Sequence, residues 1–172
     1  MTKKEVIAKA KEFCKENNVN DYPVEIISLC NKFGLKVYER YLPSDVSGSI
    51  VVGSDKFDKY NSGNFIIINL MDSPQRRRFT VAHELAHFIL HKEPGQALYA
   101  HRDAGQHDQT EVEANTFAAY VLMPDELLKD ALERLGDHKQ LPLPVKVNYI
   151  SSEFAVSRDA AQVRLAQFGI TS

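Results

Sequence analysis

Residues 77–91, Arg-Arg-Phe-Thr-Val-Ala-His-Glu-Leu-Ala-His-Phe-Ile-Leu-His, restrict this chain more than any other stretch. Leu85, Phe88 and Ile89 form one apolar group, and Val81 and Ala82 extend it a turn earlier, so the segment reads as a buried helix. His83 and His87 are four apart and project from one face of that helix, one turn above the other. This spacing lets two imidazoles bind a single tetrahedral Zn²⁺ at about 2.0–2.1 Å per nitrogen. Glu84 falls beside the metal rather than on it, where it can hold the attacking water and serve as general base. A buried polar side chain without a partner costs roughly 1–3 kcal/mol, so two histidines and a glutamate on an apolar stripe demand something to bind. A metal fits best. His91 extends the series by another turn, but it lies about 12 Å from His83 along a helix axis and cannot converge on the same ion. It reads as a C-terminal cation or a local hydrogen-bond donor.

The rest of the composition narrows the class without naming a function. A chain of 172 residues is long enough to bury a sizeable core in one compact domain. A formal net charge of −2 gives the whole chain no electrostatic attraction to DNA. No apolar run approaches a membrane span, and Met1-Thr2-Lys3-Lys4-Glu5 lacks the apolar core of a signal peptide, so the expected compartment is the cytoplasm, with no membrane partner. Cys14 and Cys30 each sit in an apolar helical pattern and read as reduced core thiols.

Thr2-x-x-Glu5 is a capping box that opens a first helix. Pro23 suits the first position of a second helix, which stops at Gly34. Residues 35–42, 47–52 and 64–70 read as three strands, with a polar loop over 53–63. The third strand leads into the histidine helix through Ser73-Pro74, an N-cap and N1 pair, and could offer a free edge to an extended peptide. Arg76-Arg77-Arg78 reads as a solvated face, with contact to an acidic partner as the alternative. Residues 94–109 read as a polar loop carrying His101 and His107.

A helix follows from Thr110 to Met123, buried through Ala114, Phe117, Ala118, Val121 and Leu122 and ended by Pro124. A catalytic zinc takes three protein ligands and keeps one position open, and His₂Glu is an established set. Glu111 and Glu113 are the candidates. Thr110-x-x-Glu113 is also a capping box, and a carboxylate at Glu111 would favour a helix N-terminus whatever else it did, so spacing leaves the two open. Another helix covers 125–135. Beyond a two-proline linker, residues 147–165 outline a helix-turn-helix in which Lys146, Arg158 and Arg164 are nearly balanced by Glu153 and Asp159. That is thin for a phosphate-contacting surface, so direct DNA binding is not expected.

The sequence resembles the ImmA/IrrE family of bacterial and phage zinc metallopeptidases. The resemblance lies in residues 78–91, in Glu113-Ala114-Asn115-Thr116-Phe117-Ala118-Ala119-Tyr120-Val121-Leu122-Met123-Pro124 and in the tail from Phe154 to Leu165. It implies an α+β, thermolysin-like (gluzincin) core over residues 1–136, with a small three-stranded sheet packed on zinc-binding helices. A helix-turn-helix-like tail over 137–172 would pack on this core. It implies one catalytic Zn²⁺ held by His83 and His87, Glu84 as catalytic acid/base, and the Glu of Glu-Ala-Asn, Glu113, as third ligand. The implied activity is endopeptidase cleavage of a helix-turn-helix transcriptional repressor, which derepresses stress-response or mobile-element genes. The competing expectation is a non-catalytic module that binds a repressor or antitoxin and has a structural or vestigial metal site. Tyr120, Tyr149, His101, His107 and Arg158 are candidates to stabilise the tetrahedral oxyanion.

Overall fold

The computed structural model describes residues 1–53, 63–92, 98–103, 109–136 and 139–171. Thr2 accepts from the Glu5 amide while the Glu5 carboxylate accepts from the Thr2 amide, and this capping box starts α1 (Lys3–Glu16). Helix α2 spans Ile26–Lys32 and is followed by Gly34 at φ +71°, a conformation that favours glycine. Pro23 does not open this helix: it follows a cis peptide at Tyr22 and lies three residues ahead of Ile26.

Four strands form one sheet in the order β1-β3-β2-β4: β1 (Lys36–Arg40), β2 (Val46–Val52), β3 (Phe65–Asn69) and β4 (Leu98–Asp103). Strand β3 pairs parallel with β1 and antiparallel with β2, so it is internal and has no edge for a peptide. Among the described residues, the edges are β1 and β4. Strand β4 lies in the stretch whose composition suggests a polar loop. Its pairing with β2 is antiparallel, Val51 opposite Tyr99 and Ile50 opposite Ala100. The three strands read from the sequence are thus present and a fourth extends them. Asn69 locks the β1–β2 connection by donating through its amide to the carbonyls of Leu42, Pro43 and Val46 at 3.2, 3.2 and 2.9 Å.

Helix α3 (Pro74–His91) crosses the sheet, capped by the Ser73 hydroxyl with Pro74 at its first turn. It packs on β2 and β3 on one side and on α4 (Gln109–Leu122) on the other, with α1 behind α4. Every residue from Thr80 to His87 is therefore buried. Gly48 of β2 makes the close approach to α3 possible: a Cβ there would lie 2.5 Å from the Thr80 methyl and 2.8 Å from the Ile67 carbonyl oxygen.

The three arginines at the start of α3 act as clamps to other segments, although Arg76 remains exposed. Arg76 donates to the Ser47 hydroxyl at 2.8 and 3.1 Å, Arg77 pairs with Glu39 at 2.7 Å, and Arg78 donates to the Val24 carbonyl at 2.9 Å. They tie α3 to β2, to β1 and to the chain ahead of α2. These contacts outweigh the mildly unfavourable position of cations near a helix N-terminus.

Helix α5 (Asp125–Arg134) leads to α6 (Leu143–Glu153) and α7 (Arg158–Gln167). Helix α6 begins at Leu143 and takes Pro144 into its first turn, where the missing N–H is harmless. The last two helices share the apolar core of the rest of the chain through Val147, Ile150, Phe154, Val156, Ala161 and Leu165. Phe154 stacks on Tyr22 with ring centroids 4.5 Å apart. Arg164 is buried, bonded to Asp125 and seated over the Tyr120 ring at 3.7 Å. Lys146 is buried as well, so Arg158 is the exposed one among Lys146, Arg158 and Arg164. The chain is α+β. Among the described residues, no helix is long and apolar enough to cross a membrane.

Candidate metal centre

Helices α3 and α4 each contribute a pair of residues four apart, and the two pairs face each other. From α3 come His83 and His87, whose Nε2 atoms are 3.0 Å apart. From α4 come Glu111 and Asn115. The Glu111 carboxylate reaches His83 Nε2 at 3.1 Å and His87 Nε2 at 3.0 Å. Asn115 Oδ1 lies 2.9 Å from His83 Nδ1. With a metal bound at Nε2, His83 Nδ1 would donate to this amide oxygen, which only accepts, and the contact would orient the ring.

The donor set fits a divalent cation. One atom each from His83, His87 and Glu111 lies within 4.8 Å of the others, and such a group could hold a metal ion. Two nitrogens each about 2.0–2.1 Å from one tetrahedral ion are roughly 3.3 Å apart, close to the separation seen. Two imidazoles and one carboxylate form the three-ligand set that leaves a fourth position open for chemistry, and nitrogen and oxygen donors suit zinc. Burial, with the neighbouring charge of His83, pushes the His87 imidazole down from 6.5 to about 4, so it is neutral and able to ligate near neutral pH. Glu84 is fully buried on the same turn as His83.

The third acidic position differs from the one expected. Glu111, rather than Glu113, stands against the two imidazoles. The two residues are separated by about 200° around a helix with 3.6 residues per turn, so α4 can present only one of them to the pair. Glu113 is buried and engaged elsewhere. One of its oxygens accepts from the Met1 ammonium and from Gln109 Nε2 at 3.1 Å, and the other is 3.0 Å from His91 Nε2. Burial alone would raise this carboxyl, but the hydrogen bonds from Met1, His91 and Gln109 outweigh it and hold Glu113 at about 2. The capping-box alternative does not apply, because α4 already begins at Gln109.

Asn115 carries no ligand-type chemistry, and sequence reasoning passes over it. Its signal is the i, i+4 step from Glu111, the same step that relates His83 to His87. Of the oxyanion candidates, Tyr120 lies under Arg164, and Tyr149 lies among Glu153, Asp130 and Arg134, away from this cluster. His107 and the side chain of His101 lie outside the described residues.

The IrrE N-terminal-like domain family matches residues 30–166. The chain is similar to the metallopeptidase ImmA of Bacillus subtilis, 25% identical over 103 residues, covering 60% of this chain and 57% of that protein. It is similar to the radiation response metalloprotease IrrE of Deinococcus radiodurans, 39% identical over 77 residues, covering 42% and 23%. It is also 39% identical over 75 residues to the uncharacterized immunity region protein 2 of Bacillus phage phi105, covering 44% and 46%. The chain spans at most 57% of the length of these relatives. A match across residues 30–166, which includes α3, α4 and most of the tail, places the chain in the ImmA/IrrE family.

Proposed function

We propose that this chain is a zinc-dependent endopeptidase that cuts one specific protein, a helix-turn-helix transcriptional repressor, in the cytoplasm. The observation that carries the reading is the convergence of His83 Nε2, His87 Nε2 and the Glu111 carboxylate within 3.1 Å of each other, with Glu84 one residue past His83. His83, His87 and Glu111 would hold the ion, with Glu111 in the place first expected of Glu113. When bound, zinc supplies Lewis-acid polarisation of the scissile carbonyl and lowers the pKa of the attacking water to about 7.

The protein's own residues do the rest. Glu84 takes the proton of the attacking water on its carboxylate and returns it to the leaving amine nitrogen. Its burial keeps that carboxylate out of bulk solvent, where proton transfer would be lost to competing water. Asn115 fixes the His83 ring through Nδ1. Strand β4 follows the histidine helix and forms an edge of the sheet, so an extended substrate segment can pair with it and gain main-chain hydrogen bonds without a sequence requirement. The names borne by the ImmA and IrrE relatives support the peptidase reading.

The test uses wild type and Glu84→Gln, each assayed for bound zinc and then incubated with the repressor encoded beside its gene. Both should bind zinc, and only wild type should cleave. Equal cleavage by the two would remove Glu84 from the mechanism. Zinc-loaded wild type that binds the repressor without cutting it would favour a partner-binding module.

A further inference from the structure

Among the described residues, strand β1 forms an edge of the sheet, and the reaction above makes no use of it. Its bonds to β3 reveal which backbone groups it leaves open. Lys36 donates to the Asn64 carbonyl at 3.1 Å, and Arg40 accepts from the Leu70 amide at 2.8 Å. Alternate residues of a paired strand turn their backbone groups to opposite sides, so Lys36, Tyr38 and Arg40 serve β3 while Val37 and Glu39 turn theirs outward. The Glu39 carbonyl accepts from the Arg40 guanidinium at 2.7 Å. The Val37 N–H and C=O and the Glu39 N–H are left for another strand.

Both faces beside this edge carry positive charge. Val37 packs on the core and Glu39 pairs with Arg77 of α3, so the two point to the helix side, and Lys36, Tyr38 and Arg40 point away from it. Lys36 and Arg40 are exposed and flank Tyr38, and the Arg40 guanidinium sits 5.4 Å from the centre of its ring. Neither cation has an acidic partner among the described residues. On the helix side a cleft of about 200 Å³ opens between β1, α2 and the start of α3, with Glu25 and Glu39 at its margin. Ile26, Ile68 and Val81 give it an apolar lining, and Arg77 and Arg78 give it charge. Arg77 is paired with Glu39, but Arg78 donates to the neutral Val24 carbonyl, and its Nε has no acceptor among the described residues. Burial pushes the Arg78 guanidinium below its usual range, with Glu25 acting in the opposite sense, so a further carboxylate nearby would favour its charged form.

We propose that the β1 edge and this cleft form a docking groove for an extended acidic segment of a partner protein. The segment adds a strand to β1 through the open groups of Val37 and Glu39. Its residues opposite those two place apolar side chains toward the cleft, and its residues opposite Lys36 and Arg40 set carboxylates against the two cations. The preferred pattern is acid, apolar, any residue, apolar, acid. It reads alike in both directions, because Lys36 and Arg40 stand symmetrically about Tyr38. A second copy of the chain is a poor occupant, since antiparallel pairing of two β1 strands about Tyr38 sets Lys36 of one copy opposite Arg40 of the other. The groove lies at the other edge of the sheet from β4 and shares no residue with the metal centre, so it stands whether or not the chain cuts peptides.

The test is fluorescence anisotropy of labelled Gly-Glu-Val-Thr-Val-Glu-Gly titrated with the full chain. The double variant Lys36→Glu/Arg40→Glu, changed only at exposed side chains, should weaken binding about 10-fold or more and should prefer a peptide with lysines in place of the glutamates. Replacing both valines of the peptide with glycine should also cost about 10-fold or more. Backbone N-methylation separates a paired strand from a merely charged one. Methyl groups on the two valine nitrogens lie on one side of the peptide, and those on the threonine and following glutamate nitrogens lie within one residue of the other side. One methylated peptide should therefore lose binding and the other should keep it, whichever way the strand runs. Glu39→Pro removes an outward N–H and should weaken binding, with circular dichroism confirming the fold.

No binding of the acidic peptide, equal binding by wild type and Lys36→Glu/Arg40→Glu, or equal effects of the two methylation patterns would overturn the groove. Displacement by oligothymidylate as effective as by unlabelled peptide would reduce the site to charge alone and overturn it too. Self-association of wild type that Glu39→Pro abolishes would make a second copy the occupant and refute the proposal.

Discussion

Replacing Gly48 with alanine drives a methyl group into the contact between β2 and α3. The new Cβ would stand 2.5 Å from the Thr80 methyl, 2.8 Å from the Ile67 carbonyl oxygen and 3.5 Å from the Ile68 side chain. Carbon atoms in comfortable contact are about 3.5–4.0 Å apart, so the Thr80 methyl must retreat by roughly 1 Å. Thr80 is fully buried, which limits its rotation, and the carbonyl belongs to the internal strand β3, which cannot rotate away. The relief must come from α3 lifting off the sheet. Overpacking of this kind costs about 1–3 kcal/mol, and with a backbone atom among the obstacles the upper end is expected. In a chain of this size that lowers the melting temperature by roughly 6–12 °C.

The assay is thermal and urea unfolding of Gly48→Ala, Thr80→Ser and the double variant. Removing the threonine methyl should recover part of the loss, leaving the clash with the Ile67 oxygen, so the two changes should couple by about 1 kcal/mol or more. The lift would also move His83, one turn beyond Thr80, relative to Glu111 on α4, and zinc affinity should fall with stability. A Gly48→Ala protein within about 0.5 kcal/mol of wild type, the range of an inert surface change, would refute the packing argument.

Three further outcomes are expected. His87 is lowered to about 4 in the fold and returns to 6.5 on unfolding, so below 6.5 the unfolded chain binds a proton the folded one does not. The metal-free protein should therefore lose up to about 3 kcal/mol as pH falls from 6.5 to 4, and His87→Gln should flatten that slope in pH-dependent melting curves. Burial pushes the Cys14 and Cys30 thiols up to about 12, so an aromatic disulfide reagent should leave both untouched in native buffer and titrate both in denaturant. Asn69→Asp should destabilise more than Asn69→Ala in urea titrations, because a carboxylate would face three carbonyl oxygens where the amide now donates; equal losses would mean that the amide is not the clamp.

The features legible in the sequence are those written in local spacing. The i, i+4 step of His83 and His87, the apolar stripe of α4 and the Ser73-Pro74 cap each depend on residues within a turn or two, and each appears as read. What is not legible depends on distant partners. Strand β4 exists because Val51 and Ile50 pair with Tyr99 and Ala100, some fifty residues away, and nothing in its own composition announces that. The choice between Glu111 and Glu113 turns on the rotational phase of α4 against α3, which a one-dimensional pattern leaves undetermined. The three arginines read as solvated because their acceptors, Ser47, Glu39 and the Val24 carbonyl, belong to three separate segments. Helix α6 starts four residues earlier than its apolar pattern suggests, since Pro144 is acceptable in a first turn though it looks like a linker.

Asp125 accepts from Lys11 of α1 and from Arg164 of α7, and the same guanidinium covers Tyr120 of α4. A ribosome delivers both histidines and Glu111 well before it delivers Arg164. Until that side chain emerges, the Tyr120 ring lacks its guanidinium and Asp125 lacks one of its two cations. The nascent chain thus carries His83, His87 and Glu111 before it carries the side chain that joins α7 to Asp125 and Tyr120.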